Sequence, residues 1–319
     1  MENKSPSGHR LLTLRDYGIY FALFGVALAF ALISPEFRTR ENFLLILLQV
    51  SVTGILSIGV LFTILTAGID LSVGSVLAVA GMFSAIFAQQ ASPELNLPLA
   101  FCLPLVIGLL LGAINGAVIT AAGVNPLIVT LGTLTAYRGF VVWYRVNPIY
   151  NLAASYRVLG QGSLGPIPAP VLVLVGTALI AALVLKRTRF GRFVYAIGSN
   201  EKAALLSGIP VRRIKFLVYL LSGFCCGLGG LIFTSRLGAA QAISGQGFEL
   251  QAIAAVVVGG ASLFGGRGTV GKTLVGALII GVLFNGLVML NVSSPVQQMV
   301  IGGIIIAAVW LDGVLKAKT

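Results

Sequence analysis

The chain has 319 residues, of which 57% are hydrophobic and only 9% are charged, and its mean hydropathy is +1.02. A soluble protein carries about 25% charged residues, so this composition excludes a water-soluble globular domain. The net charge of +12 does not indicate nucleic-acid binding, because no basic stripe lies on a globular face. We therefore predict an all-α polytopic membrane protein that forms one transmembrane domain over residues 1–319.

Ten apolar stretches have the length of a membrane-spanning helix, which is about 20 residues. The predicted spans are 17–34, 42–66, 71–90, 98–121, 126–146, 169–186, 216–236, 248–263, 272–290 and 295–312. The first span follows a basic start, so a cleaved signal peptide is the alternative interpretation of that stretch alone.

The distribution of Lys and Arg predicts the orientation of these spans. An even number of crossings places both termini on one side of the membrane. If that side is the cytoplasm, fifteen of the 21 basic residues lie in inside segments and one, Arg138, lies within a span. The other five basic residues lie in outside segments and are Arg38, Arg40, Arg145, Arg157 and Arg236. This is a positive-inside distribution with cytoplasmic termini. Arg138 is expected to pair with a polar group or to snorkel, with contact to a solute as the alternative.

The two halves of the chain are weakly similar to each other. Gly68–Leu71 resembles Gly247–Leu250, with an acid at the third position, and Asn115-Gly116 resembles Asn285-Gly286. The similar units cover 42–146 and 216–312, five spans apart, so the second unit must be inverted relative to the first. Inverted-topology repeats are typical of transporters, in which the path lies between the repeats near the membrane midplane. Chance similarity between segments rich in Gly, Ala and Leu is the alternative.

Polar residues inside these units are the candidates for a solute path. They are Asp70, Ser72, Asn115, Glu249 and Asn285. An acid in lipid costs about 2.5–3.5 kcal/mol unless it caps a helix or faces water or protein. We expect Asp70 and Ser72 to cap the helix that begins near Ser72, with direct contact to a solute as the alternative.

The segment 187–215 is basic and contains a predicted short helix. Ser199 or Asn200 is placed to cap this helix, Gly208 to end it, and Pro210 follows. A short helix presented between membrane spans is suited to docking into a groove of a soluble partner. The alternative is an amphipathic surface helix held by acidic lipid headgroups.

One motif is misleading. Gly266–Thr273 satisfies the phosphate-loop pattern GxxxxGK[ST], but that motif requires a preceding strand within a parallel sheet. Here it joins two apolar spans, so we expect no nucleotide binding by this chain. We also find no paired carboxylates, metal-ligand cluster or nucleophile triad, and predict neither catalytic nor metal-binding residues.

Several longer motifs resemble one family of membrane proteins. These motifs are Thr66–Ser75, Arg138-Gly139, Thr188–Arg192, Ala196–Glu201, Leu206–Ile209 and Glu249–Gly260 leading to Gly265-Gly266. With them, nearly the whole chain resembles the permease subunits of ribose-type ABC sugar importers, the branch that includes monosaccharide and autoinducer-2 permeases.

The resemblance implies a non-enzymatic transport subunit in the bacterial cytoplasmic (inner) membrane, in contact with lipid. It implies three protein partners: a cytoplasmic ATPase that carries ATP and magnesium, an extracytoplasmic sugar-binding protein, and a second permease copy, identical or paralogous. No cofactor is implied in this chain. The residues that match the family's ATPase-coupling loop are Arg189, Gly198, Asn200, Glu201, Ala203, Ala204 and Gly208. The alternative function is a secondary transporter that couples solute to protons or sodium through Asp70 and Glu249.

Overall fold

The computed structural model describes residues 7–89 and 93–317, so the extreme ends of the chain, 1–6 and 318–319, lie outside the description. Within these ranges the protein is almost entirely α-helical. The helices are α1 Ser7–Ile33, α2 Arg40–Leu65, α3 Val73–Ala88, α4 Pro93–Ala121, α5 Pro126–Tyr144, α6 Ala154–Gln161, α7 Ala169–Arg187, α8 Arg189–Ser199, α9 Glu201–Leu206, α10 Val211–Leu237, α11 Phe248–Val258, α12 Val270–Met289 and α13 Ser294–Ala317. A two-stranded antiparallel sheet, β1 Ser163–Leu164 and β2 Ile167–Pro168, precedes α7.

Each of the ten predicted spans overlaps one of these helices, with differences at several ends. Among the described residues, six helices are long and apolar enough to cross a membrane: α2, α4, α5, α7, α10 and α12. Four shorter apolar stretches belong to α1, α3, α11 and α13. The structure therefore shows an all-helical protein with multiple membrane-competent helices.

Helix α11 is shorter than the sequence predicts. It has 11 residues, about 16 Å of rise, which covers roughly half of a 30 Å hydrocarbon core. The predicted span continues to residue 263. The helix ends earlier because Gly259 is its C-cap and Gly260 adopts a left-handed φ of 83°.

Helix α2 forms the centre of the core, since Ile55, Leu56, Leu61 and Ile64 are fully buried. It packs against α10, α12 and α11, while α10 packs against α4 and α3. The first helix of each predicted repeat unit therefore contacts the second and third helices of the other unit.

The contact between α4 and α10 depends on glycine. A methyl group built on Gly108 would overlap the carbonyl oxygen of Gly223, and one on Gly227 would overlap the carbonyl oxygen of Pro104. Small residues permit such close approach of two helix backbones, which is how helices associate in lipid. This crossing fixes the position of the first half of the chain against the second.

Candidate solute path and coupling segment

The carboxylate of Asp70 lies in the non-helical break between α2 and α3 and is 2% exposed. Its Oδ1 accepts hydrogen bonds from the backbone N–H of Ser72 at 3.0 Å and from the Ser72 hydroxyl at 2.7 Å. Its Oδ2 accepts a bond from the hydroxyl of Ser222 on α10 at 2.7 Å. Both carboxylate oxygens are therefore occupied by protein donors, which compensates for the burial of this acid.

A chain of hydrogen bonds extends from Asp70 to two more helices. The side-chain N–H of Asn115 on α4 donates to the Ser72 hydroxyl at 2.8 Å, and the Tyr137 hydroxyl on α5 donates to Asn115 Oδ1 at 3.2 Å. Thr130, also on α5, donates to the carbonyl oxygen of Ile69 at 3.1 Å. This polar network connects the break with α4, α5 and α10, and it brings together three predicted path residues: Asp70, Ser72 and Asn115.

The predicted capping role of these two residues is only partly correct. Ser72 is the N-cap residue of α3, but its side chain accepts no hydrogen bond from the helix. The Ser72 hydroxyl is instead oriented toward Asp70, and Asp70 accepts the N–H of Ser72 itself. The Ser72 oxygen accepts the side-chain N–H of Asn115 instead of a backbone N–H of α3, so it makes a contact between helices and not a cap.

The polar network lies near the middle of the longest helices. Ser222 is 11 residues from the start of α10, a rise of about 16 Å along a helix of about 40 Å. Non-helical backbone at such a depth is tolerated only when protein or a water-filled cavity surrounds it. The burial of Thr66, Asp70 and Ser72 meets this condition.

Glu249 lies beside the first turn of α3. Its Oε1 accepts the backbone N–H of Gly247 at 3.1 Å, while Oε2 is buried and has no hydrogen-bond partner among the described residues. A methyl group on Gly74 would overlap Glu249 Oε2 and the carbonyl oxygen of Gly245. The starts of α3 and α11 therefore meet near the polar network.

Asn285, the fifth predicted path residue, lies apart from the polar network. It forms a reciprocal amide pair with Asn42 at the start of α2: the Asn285 N–H donates to Asn42 Oδ1 at 2.7 Å, and the Asn42 N–H donates to Asn285 Oδ1 at 3.0 Å. Asn42 also donates to the carbonyl oxygen of Phe37 at 3.1 Å. The structure thus links α2 to α12 through this pair.

Arg138 on α5 is paired with backbone, as expected. Its guanidinium donates to the carbonyl oxygens of Ala242 and Ser244, in the segment that connects α10 to α11. The charge is therefore stabilised by peptide dipoles, and α5 is connected to the segment that precedes Glu249.

The predicted short helix of the segment 187–215 is present as α9. Asn200 caps it, since Asn200 Oδ1 accepts the N–H of Ala203 at 3.0 Å, and Gly208 follows its end with a φ of 79°. Leu206 is 89% exposed, whereas Ala204 is buried. A capped helix with an exposed leucine on one side and a buried small residue on the other is suited to docking.

The end of α8 fits tightly against the end of α2. The backbone N–H of Gly266 donates to the carbonyl oxygen of Leu65 at 3.0 Å, and a methyl group on Gly198 would overlap that same oxygen and the Gly266 nitrogen. The Tyr195 hydroxyl donates to the Gly268 carbonyl oxygen at 2.8 Å, and burial raises the pKa of this phenol. Residue 198 therefore connects α9 to the break that contains Asp70.

The phosphate-loop pattern has no phosphate-loop structure. Helix α11, not a strand, precedes it, and the Thr269 hydroxyl accepts the N–H of Lys272 as the N-cap of α12. The described residues contain no parallel sheet. The motif is a helix-to-helix turn, in agreement with its predicted position between two apolar spans.

Sequence reasoning did not identify Ser222, Tyr137 or Leu65. Ser222 and Tyr137 lie far along the chain from their partners Asp70 and Asn115, and no local pattern distinguishes them from other polar residues in apolar spans. Leu65 contributes only its backbone carbonyl. The glycine-rich stretch around Gly266 was a usable signal, because consecutive glycines indicate close backbone approach.

These features define a polytopic helical membrane protein with a buried polar network and a short, partly exposed helix connected to it. The chain belongs to the family described as branched-chain amino acid transport system / permease component, which its residues 42–309 match. No solved structure gives a significant match.

Three curated relatives cover nearly the whole chain. It is 44% identical over 302 residues to the ribose import permease protein of Bacillus subtilis, covering 94% of this chain and 93% of that protein. It is 41% identical to the D-allose transport system permease protein of Escherichia coli, over 94% and 92% of the two chains. Its identity to the xylose transport system permease protein of Haemophilus influenzae is 34%, over 94% and 97%.

Proposed function

We propose that this chain is the membrane permease subunit of an ATP-driven importer that carries a monosaccharide, ribose-like in class, across the cytoplasmic membrane. The observation that supports this proposal is the match, over nearly the whole chain, to permeases whose names specify ribose, D-allose and xylose. Sugars are uncharged polyols, and a path lined by Ser, Thr, Asn and backbone groups suits them. Because the three relatives name different sugars, the solute of this chain is proposed only as a class.

The proposed topology has ten crossings, two inverted repeats and both termini in the cytoplasm. Helix packing supports the repeats: α2 contacts α11 and α12 of the second unit, and α10 contacts α3 and α4 of the first. Helices α3 and α11 are short and begin beside each other in mid-bundle, which is the arrangement of discontinuous helices in transporters with inverted repeats.

The proposed partners follow from the exposed helix α9 and from the family. A cytoplasmic ATPase, which holds ATP and magnesium, docks on α9 through Leu206 and the segment 187–215. An extracytoplasmic sugar-binding protein delivers the solute at the opposite end, and a second permease copy completes the path. We propose no enzymatic site and no nucleic-acid partner.

An ion-coupled secondary transporter is disfavoured by the geometry of Asp70. Both oxygens of this carboxylate already accept hydrogen bonds from Ser72 and Ser222. A proton- or sodium-coupling acid must exchange its partners during each cycle, and such exchange would leave buried donors unsatisfied.

Proteoliposomes test the proposal directly. Vesicles that contain this chain with its ATPase and binding protein should accumulate D-ribose, D-allose or D-xylose only when ATP is present. Uptake by the chain alone under a proton or sodium gradient would support the secondary transporter instead. Orientation is tested separately with a membrane-impermeant maleimide and Asn200→Cys in a Cys102→Ala background: labelling in intact cells would contradict the proposed cytoplasmic position of α9.

A further inference from the structure

A cavity of about 310 Å³ lies between α2, α10, α11 and α12, toward the end of the molecule away from the segment 187–215. Its lining comprises Gln49, Val52, Thr53, Phe233, Arg236, Phe248, Gln251, Ile280, Gly281, Phe284 and Val288. Its volume is in the range of small-molecule sites in proteins. None of these residues belongs to the polar network around Asp70.

Three polar side chains of this cavity have no polar partner in the described part of the chain. The amides of Gln49 and Gln251 make no side-chain hydrogen bond, and the guanidinium of Arg236 makes neither a hydrogen bond nor an ion pair. Gln49 and Gln251 come from different predicted repeat units. Both residues line the cavity, and an amide side chain supplies two donors and one acceptor.

Aromatic rings form another part of the wall. The rings of Phe233 and Phe248 meet edge to face with centroids 5.4 Å apart, and the guanidinium of Arg236 lies 5.8 Å from the centroid of Phe233. This cation–π contact stabilises the charge of Arg236 and keeps its guanidinium at the edge of the cavity. The remaining polar lining is therefore neutral.

Neutral amides beside aromatic rings match one class of ligand. A monosaccharide ring has a rim of hydroxyls, which both donate and accept hydrogen bonds, and an apolar face of C–H groups that packs on an aromatic surface. A lipid phosphate would instead need several cations, and among the described lining residues only Arg236 is charged.

We propose that this cavity is a monosaccharide subsite in the outward half of each permease copy, where Gln49 and Gln251 bind hydroxyls and Phe248 contacts the apolar face. The proposal rests on the proposed sugar import. It adds a second contact region to the path, distinct from the buried acids. Weak binding is sufficient here, because a solute in transit must leave again.

The first test uses the full importer in proteoliposomes, with Gln49→Leu combined with Gln251→Leu. The double variant should import about tenfold less sugar for each ATP hydrolysed, because two neutral hydrogen bonds to the solute are lost. The matched control is Gln246→Leu, the same change at an exposed residue outside the cavity. Unchanged sugar-to-ATP coupling in the double variant would overturn the subsite. If the unmodified importer moves none of the three sugars, the proposed function fails instead.

The second test does not depend on transport. In a Cys102→Ala background, Val288→Cys places a thiol at the exposed rim of the cavity, while Cys225 and Cys226 are buried. The imported sugar should slow maleimide labelling at this position at least twofold, and sucrose at the same concentration should not. Labelling that ignores the sugar but accelerates when phospholipid is removed would identify a lipid as the occupant and overturn the proposal.

Discussion

The carboxylate of Asp70 and the hydroxyl of Ser222, which are 152 positions apart in the sequence, are joined by a hydrogen bond of 2.7 Å. This bond connects the break between α2 and α3 to the middle of α10. It joins the two predicted repeat units through two buried side chains, so the break cannot move away from α10 without leaving the Asp70 carboxylate unsatisfied.

Removal of the Asp70 carboxylate should destabilise the protein. Asp70→Ala leaves the Ser72 N–H and the Ser222 hydroxyl buried without their acceptor, which costs about 3 kcal/mol. Thermal unfolding of the purified chain in detergent should show the loss. The control is Ser75→Ala, which removes only a local bond to the Ser72 carbonyl oxygen. Equal unfolding temperatures for the two variants would refute the structural role of Asp70.

A side chain at position 198 should disturb the link between α9 and the break. Gly198→Ala forces a methyl group against the Leu65 carbonyl oxygen and the Gly266 nitrogen, which costs about 1–3 kcal/mol through overpacking. We expect lower thermal stability and ATP hydrolysis that no longer drives transport. Gly176→Ala is the matched control, because a methyl group at that position meets nothing within 4 Å. If ATP hydrolysis still drives transport normally in Gly198→Ala, then the close contact of residue 198 with Leu65 and Gly266 does not transmit motion.

The exposed leucine of α9 should determine ATPase docking. Leu206→Asp places a charge on a side chain that is 89% exposed, so the fold should be retained while an apolar contact with the partner is lost. Co-purification of the ATPase should fall at least tenfold. Leu164→Asp, on the sheet that precedes α7 and 73% exposed, is the control and should leave the complex intact. Equal complex yields for both variants would mean that α9 does not dock.

Disruption of the whole of α9 should abolish transport without affecting membrane insertion. Proline cannot adopt the φ of 79° found at Gly208, and Glu201→Ala removes the ion pair with Lys215 at 2.7 Å. That pair contributes little by itself, since Glu201 is 52% exposed. Uptake assays on the Glu201→Ala, Gly208→Pro double variant measure the effect, and membrane fractionation verifies insertion. Full uptake would exclude α9 from the mechanism.

The amide pair of Asn42 and Asn285 should be energetically coupled. Replacement of either residue by alanine removes the same reciprocal bonds, so the double variant should lose less stability than the sum of the single variants, by about 0.6 kcal/mol. A double-mutant cycle on unfolding temperature measures this coupling. Strict additivity would show that the two amides act independently.

The apolar helices were predictable because a long run of apolar residues specifies each of them. Helix α10 nevertheless begins at Val211, five residues before its predicted span, because Arg212, Arg213 and Lys215 interrupt the apolar pattern without interrupting the helix. Helix α6 and the sheet before α7 were not predicted. They lie outside the spans, and their stability comes from tertiary contacts such as the bond between Tyr156 and Ser84.

The polar residues were predictable in kind but not in arrangement. Apolar surroundings identified Asp70, Asn115 and Asn285 as unusual, because each polar group in lipid requires a partner. The partners themselves, Ser222 and Asn42, are ordinary residues whose role arises only when distant helices pack. For the same reason the cavity with Gln49 and Gln251 has no local sequence pattern.

The glycine contact between α4 and α10 has a consequence for synthesis of the chain. Helix α4 is translated and inserted about a hundred residues before α10 emerges from the ribosome. During this interval the glycines of α4 that contact α10 in the finished protein are without that partner helix. The packing of the first half of the chain is therefore complete only after α10 has been made, so the protein is assembled late in translation.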